Sequence, residues 1–235
     1  MFFLGSYRLE NANNIKSIPD TFVVKQNKQN SIVYVVSDTL FSKGNNDISP
    51  DMISFTKKLF TSIIRQSGVF NNVEAIVLNG NIVSDAYNNH VNYVITKEEF
   101  AYKLLESLVM VSKSIPIYYV RGSFDCFINT STLPVNLRGV IKLCNSVQIG
   151  NTLFIHGHNS LPFITDTDCT LINSDERMLL HEKTSSYISR ELGVNVVVSN
   201  SNMSSHQNKK TISVGSFSKV GMSVISLEPF VISKL

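Results

Sequence analysis

Apolar positions along the chain follow two patterns, which are short continuous runs and longer segments with one apolar side. Three short runs are mainly β-branched or aliphatic, as is typical of strands buried on both faces, and they cover residues 31–37, 73–78 and 115–120. Two longer segments between them predict helices, the first capped by Ser49 with Pro50 in its first turn. The second helix opens with a capping box of Thr96 and Glu99. This order predicts a βαβαβ layer.

After residue 126 the predicted strands become shorter. Three of them follow one another closely, which predicts antiparallel pairing among residues 140–144, 146–149 and 152–156. A helix over about residues 175–192 is expected to end at Gly193 as its C-cap. Three more strands are predicted at residues 194–199, 211–214 and 222–227. We therefore expect the two halves of the chain to form two mixed sheets that pack face to face, with helices outside.

The segment before residue 31 differs from the rest, because it is polar and rich in Asn and Lys after a short apolar start. We expect residues 1–30 to form an N-terminal extension, with edge strands at residues 2–9 and 21–25. Residues 31–235 are expected to form one α/β domain, since 235 residues suit a single domain with a modest extension.

Composition favours an ordinary folded domain, with 43% hydrophobic and 17% charged residues. The formal net charge of +3 is spread along the chain, and the stretch with Lys209 and Lys210 is the one that resembles a basic patch. The three cysteines, at positions 126, 144 and 169, have neither zinc-site nor disulfide spacing. We expect a cytoplasmic protein without a signal peptide, because the apolar run at the start is short and has no basic leader. No stretch approaches the roughly 20 apolar residues of a membrane span.

Five polar loops follow predicted strands, at the position where α/β folds place their chemistry. In chain order they read S-D-T-L at residues 37–40, G-N-I-V-S-D at 80–85, R-G-S-F-D at 121–125, H-G-H at 156–158 and S-N-S-N at 199–202. The ordered series resembles the calcineurin-like metallophosphoesterases, whose small phosphodiesterase branch reads S-D-T-H, G-D-I-V, V-R-G-N-C/H-D, H-G-H and G-H-T-H. V-G-S at residues 214–216 stands where that branch has P-G-S. The resemblance covers about residues 31–227.

The resemblance implies a metallophosphoesterase-like four-layer αββα sandwich of two mixed sheets flanked by helices. It also implies a site with two metal ions about 3.5–4 Å apart, held by carboxylates and imidazoles, one Asp bridging both ions. A histidine in the third motif would assist the leaving group.

Matched residue by residue, only Asp38 and His156 keep the ligand identity that this family uses. The other matched ligand positions hold residues of different chemistry, namely Leu40, Asn81, Ser123, Asn200 and Asn202. Phe124 stands at the position of the catalytic histidine. Leucine and phenylalanine offer no ligand atom and neutral amides offer no charge, so we expect no binuclear site, no catalytic residue and no cofactor. Asp125 is expected to close a turn rather than to take part in catalysis.

Three functions remain open at this stage. The first is a catalytically inactive phosphoesterase-like protein, or pseudoenzyme, that serves as a scaffold or protein-interaction subunit of a larger assembly. The second is a divergent metal-dependent phosphodiesterase or phosphatase, with a partner-completed site or one Mn or Zn ion at Asp38, His156 and His158. The third is an accessory subunit that binds nucleic acid through the surface around Lys209 and Lys210.

One segment is unusually apolar for a loop and is the candidate surface for a protein partner. It spans residues 159–173, and its apolar side chains are Leu161, Phe163, Ile164, Leu171 and Ile172. Covering the protein's own core is the alternative interpretation of the same residues.

Overall fold

The computed structural model describes residues 21–39, 61, 72–83, 97–112, 115–125, 127–157, 184–199, 206–217 and 221–234. The predicted strand at residues 2–9 lies outside these residues, as do the predicted helix that Ser49 caps, apart from residue 61, and residues 175–183 of the third predicted helix. Among the described residues, no helix is long and apolar enough to cross a membrane.

The strands in chain order are β1 (Thr21–Val24), β2 (Ile32–Ser37), β3 (Val73–Asn79), β4 (Ile117–Val120), β5 (Ile141–Cys144), β6 (Ser146–Ile149), β7 (Thr152–His156), β8 (Asn195–Ser199), β9 (His206–Gln207), β10 (Thr211–Val214), β11 (Ser223–Ser226) and β12 (Val231–Lys234). The helices are α1 (Lys97–Ser112), the short α2 (Val135–Arg138) and α3, which is described over residues 184–192. Gly193 follows α3 with a φ of +69°, the left-handed conformation of the C-cap predicted there.

The described strands form two six-stranded mixed sheets. The first sheet has the order β12-β11-β2-β3-β4-β5, with parallel pairing from β2 to β5 and antiparallel pairing at β11 and β12. The second sheet has the order β1-β6-β7-β8-β10-β9, and its antiparallel pairs are β6 with β7 and β10 with β9.

Three apolar clusters separate four layers. The inter-sheet core contains residues from both sheets, such as Val77 and Phe154. A second cluster lies on the outer face of the first sheet and includes Leu105 and Leu108 of α1. The third lies on the outer face of the second sheet and includes Ile188 of α3. These layers give an α/β sandwich consistent with the metallophosphoesterase-like fold, as the motif series predicted.

The predicted grouping of strands needs two corrections. β6 and β7 pair antiparallel as expected, but β5 pairs in parallel with β4 in the first sheet. Only Asn145 separates β5 from β6, so the chain changes sheets at one residue and no hairpin forms there. The second correction concerns the ends of the chain, because β11 and β12 join the first sheet and β1 joins the second. An apolar pattern shows which strands are buried, and it does not record which edges pair.

The side-chain amide of Gln207 connects the two sheets at one edge of the sandwich. Its Nε2 donates to the carbonyl oxygen of Phe230 at 3.0 Å, and its Oε1 accepts from the backbone N–H of Ile232 at 3.1 Å. The amide therefore occupies backbone positions on β12 that a further strand would otherwise use. Neither β9 nor β12 was predicted, because both are short and have a weak apolar pattern.

We expect Gln207→Ala to lower the free energy of unfolding by about 1–2 kcal/mol, since two hydrogen bonds to β12 are lost. Urea denaturation measures the change. Gln148→Ala is the matched control, because the Gln148 amide makes one hydrogen bond, to the carbonyl oxygen of Gly150 in its own turn. Equal losses in the two variants would contradict a role for Gln207 in joining the sheets.

Candidate functional site

The candidate site lies where strands of both sheets end. β2 and β3 are parallel neighbours in the first sheet, and β7 and β8 are parallel neighbours in the second. Asp38 follows β2 directly, while His156 is the last residue of β7. A hydrogen bond between these two side chains shows that the carboxyl ends of the two sheets meet at this place.

Asp38 is the centre of the site and is 1% exposed. Its Oδ1 accepts three hydrogen bonds, each 3.1 Å long, from the backbone N–H of Asn81, from Asn81 Nδ2 and from His156 Nε2. Ser37 Oγ donates to Asp38 Oδ2 at 3.3 Å. The ring of His156 must carry a proton on Nε2 to donate to this carboxylate. We refer to Asp38, Asn81 and His156 as the Asp38 network.

Asn81 links the Asp38 network to the third motif. Its Oδ1 accepts from the backbone N–H of Phe124 at 2.7 Å, while its Nδ2 donates to Asp38. Both ends of the amide are therefore satisfied by protein groups. The backbone N–H that Asp38 accepts also comes from Asn81, after the neighbouring strand.

Two glycines allow these loops to approach one another. Gly80 has a φ of +115°, and a Cβ there would lie 2.6 Å from His156 Cδ2 and 2.7 Å from Asp38 Oδ1. A Cβ at Gly122 would lie 2.2 Å from Asn81 Oδ1. Real Cβ atoms do not approach other atoms this closely, so any side chain at either position would separate the groups of the network.

Asp125 closes the third loop from within, as its sequence position predicted. Its Oδ1 accepts the backbone N–H of Ile82 at 3.1 Å and its Oδ2 that of Gly122 at 3.0 Å. Burial raises the pKa of Asp125 from 3.8 to about 6, although the two backbone hydrogen bonds act in the opposite direction. Asp125 thus holds the second and third motifs together through both of its carboxylate oxygens.

The structure brings some of the predicted site residues together and does not describe others. Asp38, Asn81, His156 and the backbone of Phe124 form one connected set. Ser123 and Phe124 lie in a 3₁₀ turn over Ser123–Asp125, and both are partly exposed. Outside the described residues lie Leu40, His158, Asn200, Asn202 and the apolar segment with Leu161, Phe163, Ile164, Leu171 and Ile172. Within the described residues, no cluster of three or more His, Cys, Asp or Glu side chains could hold a metal ion.

Sequence reasoning missed two polar side chains beneath the Asp38 network. Asn79, the last residue of β3, donates from Nδ2 to the carbonyl oxygen of Ile155 at 3.3 Å and so joins the two sheets. Asn79 Oδ1 and Ser199 Oγ are buried and have no hydrogen-bond partner in the part of the chain that is described. Each residue ends its strand after a run of three or more apolar residues, and a polar residue at that position was the available signal.

The basic pair proposed for nucleic acid lies far from this site. Lys209 and Lys210 are exposed in the turn between β9 and β10. β10 is parallel to β8, so the turn before it lies at the end of the sandwich opposite the Asp38 network. Binding of nucleic acid there stays a prediction.

Comparison with known proteins supports the fold. No family model matches the chain, and no curated protein matches it. Among solved structures, the chain is similar to the crystal structure of TT1561 of Thermus thermophilus, with a TM-score of 0.50 and 10% sequence identity. The match covers 88% of this chain and 99% of that chain. TT1561 has the metallophosphoesterase fold, and at this identity the likeness shows the fold alone.

The raised pKa of Asp125 predicts a dependence of stability on pH. The neutral carboxyl is favoured in the folded state, so its stabilisation is full well below pH 3.8 and is lost as pH rises through about 6. Asp125→Asn removes this titration. We expect the unfolding free energy of the wild type, relative to that of the variant, to fall by about 2 kcal/mol between pH 4 and pH 7.

Urea denaturation of both proteins across this pH range measures the difference. Because all other titrating groups are shared, their contributions cancel in the comparison. A difference in unfolding free energy that stays constant with pH would contradict the prediction.

Proposed function

We propose that this protein is a catalytically inactive phosphoesterase-like protein that serves as a scaffold or interaction subunit of a larger assembly. The observation that carries the proposal is the hydrogen bond from Asn81 Nδ2 to Asp38 Oδ1, at 3.1 Å. By the resemblance, position 81 would hold the Asp that bridges two metal ions. Two buried carboxylates at this distance need a cation between them, whereas an amide supplies its own donor and needs none.

The described donor set does not fit a paired-metal centre. Asp38 Oδ1 already accepts three hydrogen bonds, one of them from the retained His156. The two retained ligands thus bond to each other, and Asp38 also accepts from Asn81. Position 124 carries a phenyl ring, which can neither donate a proton to a leaving group nor accept one from water. These features support a fold that is kept for its shape and not for hydrolysis.

A second candidate is a phosphoesterase that uses one metal ion. Asp38 and His156 lie within 3.1 Å of each other and are an imidazole–carboxylate pair of the kind that binds divalent ions. A single ion there would have to displace the hydrogen bond between them and to recruit further ligands, with His158 as the candidate from this chain. The two functions differ in whether the wild-type protein gains stability from a divalent metal.

We expect Asn81→Asp to lower the free energy of unfolding by about 3 kcal/mol or more, since it places a second buried carboxylate beside Asp38. Millimolar Mn²⁺ should restore part of this loss, because a cation can lie between the two carboxylates. The wild type should gain nothing from Mn²⁺. Urea denaturation of the wild type and of Asn81→Asp, each with and without Mn²⁺, measures the four unfolding free energies.

Asn79→Asp is the matched control, since it makes the same substitution two residues earlier, at the buried end of β3. The Asn79 amide bonds to Ile155 and not to Asp38, so this variant should lose stability without rescue by Mn²⁺. A wild-type protein that Mn²⁺ stabilises by more than about 1 kcal/mol would favour the one-metal enzyme over the proposed scaffold.

Direct assay of hydrolysis separates the same two candidates. With bis(p-nitrophenyl) phosphate and added manganese, we expect the wild type and Asp38→Ala to show the same rate as buffer. Manganese-dependent hydrolysis that Asp38→Ala abolishes would overturn the proposal.

For the interaction itself, replacing Phe163 and Ile164 by Asp should abolish capture of the partner by the purified protein while the monomer stays folded.

A further inference from the structure

One layer of the space between the sheets is polar, and it lies at the carboxyl ends of three strands. Side chains of a strand point alternately to its two faces, so residues two positions apart share a face. On β2, β3 and β8 the residue two positions before the last one belongs to the inter-sheet core. Ser37, Asn79 and Ser199 end these strands, and their side chains therefore point into the same inter-sheet space.

These three side chains come together because β2 lies opposite β8. Ser37 and Asn79 are partners across β2 and β3 in the first sheet. The hydrogen bond from Asn79 Nδ2 to the Ile155 carbonyl oxygen places β3 opposite β7, and the hydrogen bonds of Gln207 place β12 opposite β9. β2 is the neighbour of β3 on the side of β12, and β8 is the neighbour of β7 on the side of β9. Ser199 therefore lies across the inter-sheet space from Ser37 and Asn79.

Two atoms in this layer have hydrogen-bonding capacity that the described residues do not use. Asn79 and Ser199 are both 0% exposed, and neither Asn79 Oδ1 nor Ser199 Oγ has a hydrogen-bond partner among those residues. Turning the Asn79 amide round would not help, because the Ile155 carbonyl oxygen needs the Nδ2 donor. A buried polar atom without a partner costs stability, and internal water commonly supplies the partner.

The separation of the sheets keeps these groups from bonding to one another. Packed sheets lie about 10 Å apart, whereas a hydrogen bond between two oxygen atoms spans about 2.7–2.8 Å. Serine side chains are short, and Ser199 Oγ accordingly bonds to no described residue of the opposite sheet. A molecule that joins Ser199 to Ser37 and Asn79 must therefore be very small.

The chemistry of the three groups selects a molecule that both donates and accepts. Asn79 Oδ1 can only accept, and Ser37 Oγ has acceptor capacity left because its proton is donated to Asp38 Oδ2 at 3.3 Å. The Ser199 hydroxyl has a proton that needs an acceptor. A metal cation would satisfy the first two oxygens but not this proton, and an anion would satisfy only the proton. Water satisfies all three groups.

We propose that one internal water molecule binds between the sheets at Ser37, Asn79 and Ser199. It donates to Asn79 Oδ1 and to Ser37 Oγ, and it accepts from the Ser199 hydroxyl. Three hydrogen bonds are the usual number for a buried water molecule. The water extends the Asp38 network to β8, because Ser37 also bonds to Asp38. The site is independent of the proposed function, since none of its three residues stands at a matched ligand position.

High-resolution crystal structures of the full-length wild type and of one variant test the site. In the wild type we expect density for one water molecule within about 2.7–3.2 Å of Ser37 Oγ, Asn79 Oδ1 and Ser199 Oγ. Ser199→Val removes the hydroxyl and places a methyl group in the gap. The density should therefore be lost in this variant.

Ser223→Val is the matched control. The Ser223 hydroxyl is also fully buried and has no partner within the described ranges. Ser223 lies on β11 as the partner of Val35, one inward-facing layer further from the Asp38 network than Ser37. The water molecule at Ser199 should therefore stay in Ser223→Val.

A measurement in solution tests the wild type alone and does not depend on whether the variants fold. The proposed water lies beside the side-chain amide of Asn79. A water molecule that stays bound for longer than the protein takes to rotate gives NOE and ROE signals of opposite sign with nearby protons. We expect such signals at the Asn79 side-chain amide and not at that of Asn136, which is exposed.

Several results would overturn the proposal. They are wild-type crystals without density between Asn79 and Ser199, density that persists in Ser199→Val, and density that disappears equally in Ser223→Val. Density with contacts of about 2.3–2.6 Å would show a hard cation in place of water. The absence of long-lived water signals at Asn79 in solution would overturn it as well.

Discussion

The hydrogen bond between the Asn81 amide and the Asp38 carboxylate is the contact on which the carboxyl ends of both sheets depend. It fixes the loop after β3 against the residue after β2, and the same Asp38 oxygen binds His156 of the other sheet. The amide also orients the third motif through the backbone of Phe124. The neutral side chain of Asn81 thus joins three loops. In the family that the motif series resembles, a bridging carboxylate and two cations would join the matching loops.

Buried carboxylates that accept hydrogen bonds from loops also occur elsewhere in the fold. Asp38, Glu74 and Asp125 are buried carboxylates, and each accepts at least one backbone N–H from a neighbouring loop. Such bonds favour the ionised form and offset part of the cost of burial. Asp125 shows the limit of this compensation, because its pKa remains raised to about 6. The buried acids described in this protein therefore organise loops through N–H donors.

Much of the fold could be predicted from the sequence because its strands are buried on both faces. Continuous apolar runs identified β2, β3 and β4 within one or two residues, and the order of the loops identified the sandwich. Sheet membership could not be predicted at Asn145, since a one-residue connection allows either a hairpin or a change of sheet. The sequence predicted which residues belong to the site, but it did not predict their hydrogen bonds. Asn81 uses both ends of its amide because of the distances between loops, and no linear pattern contains those distances.

The placement of β11 has a consequence for how the protein is made. β11 pairs directly with β2, although nearly the whole chain separates them in sequence. During synthesis β2 is made before β11, and its edge stays without that neighbour until residues 223–226 have been added. An unpaired strand edge can pair with other molecules while it is exposed. The first sheet is therefore completed only after about 190 further residues have followed β2.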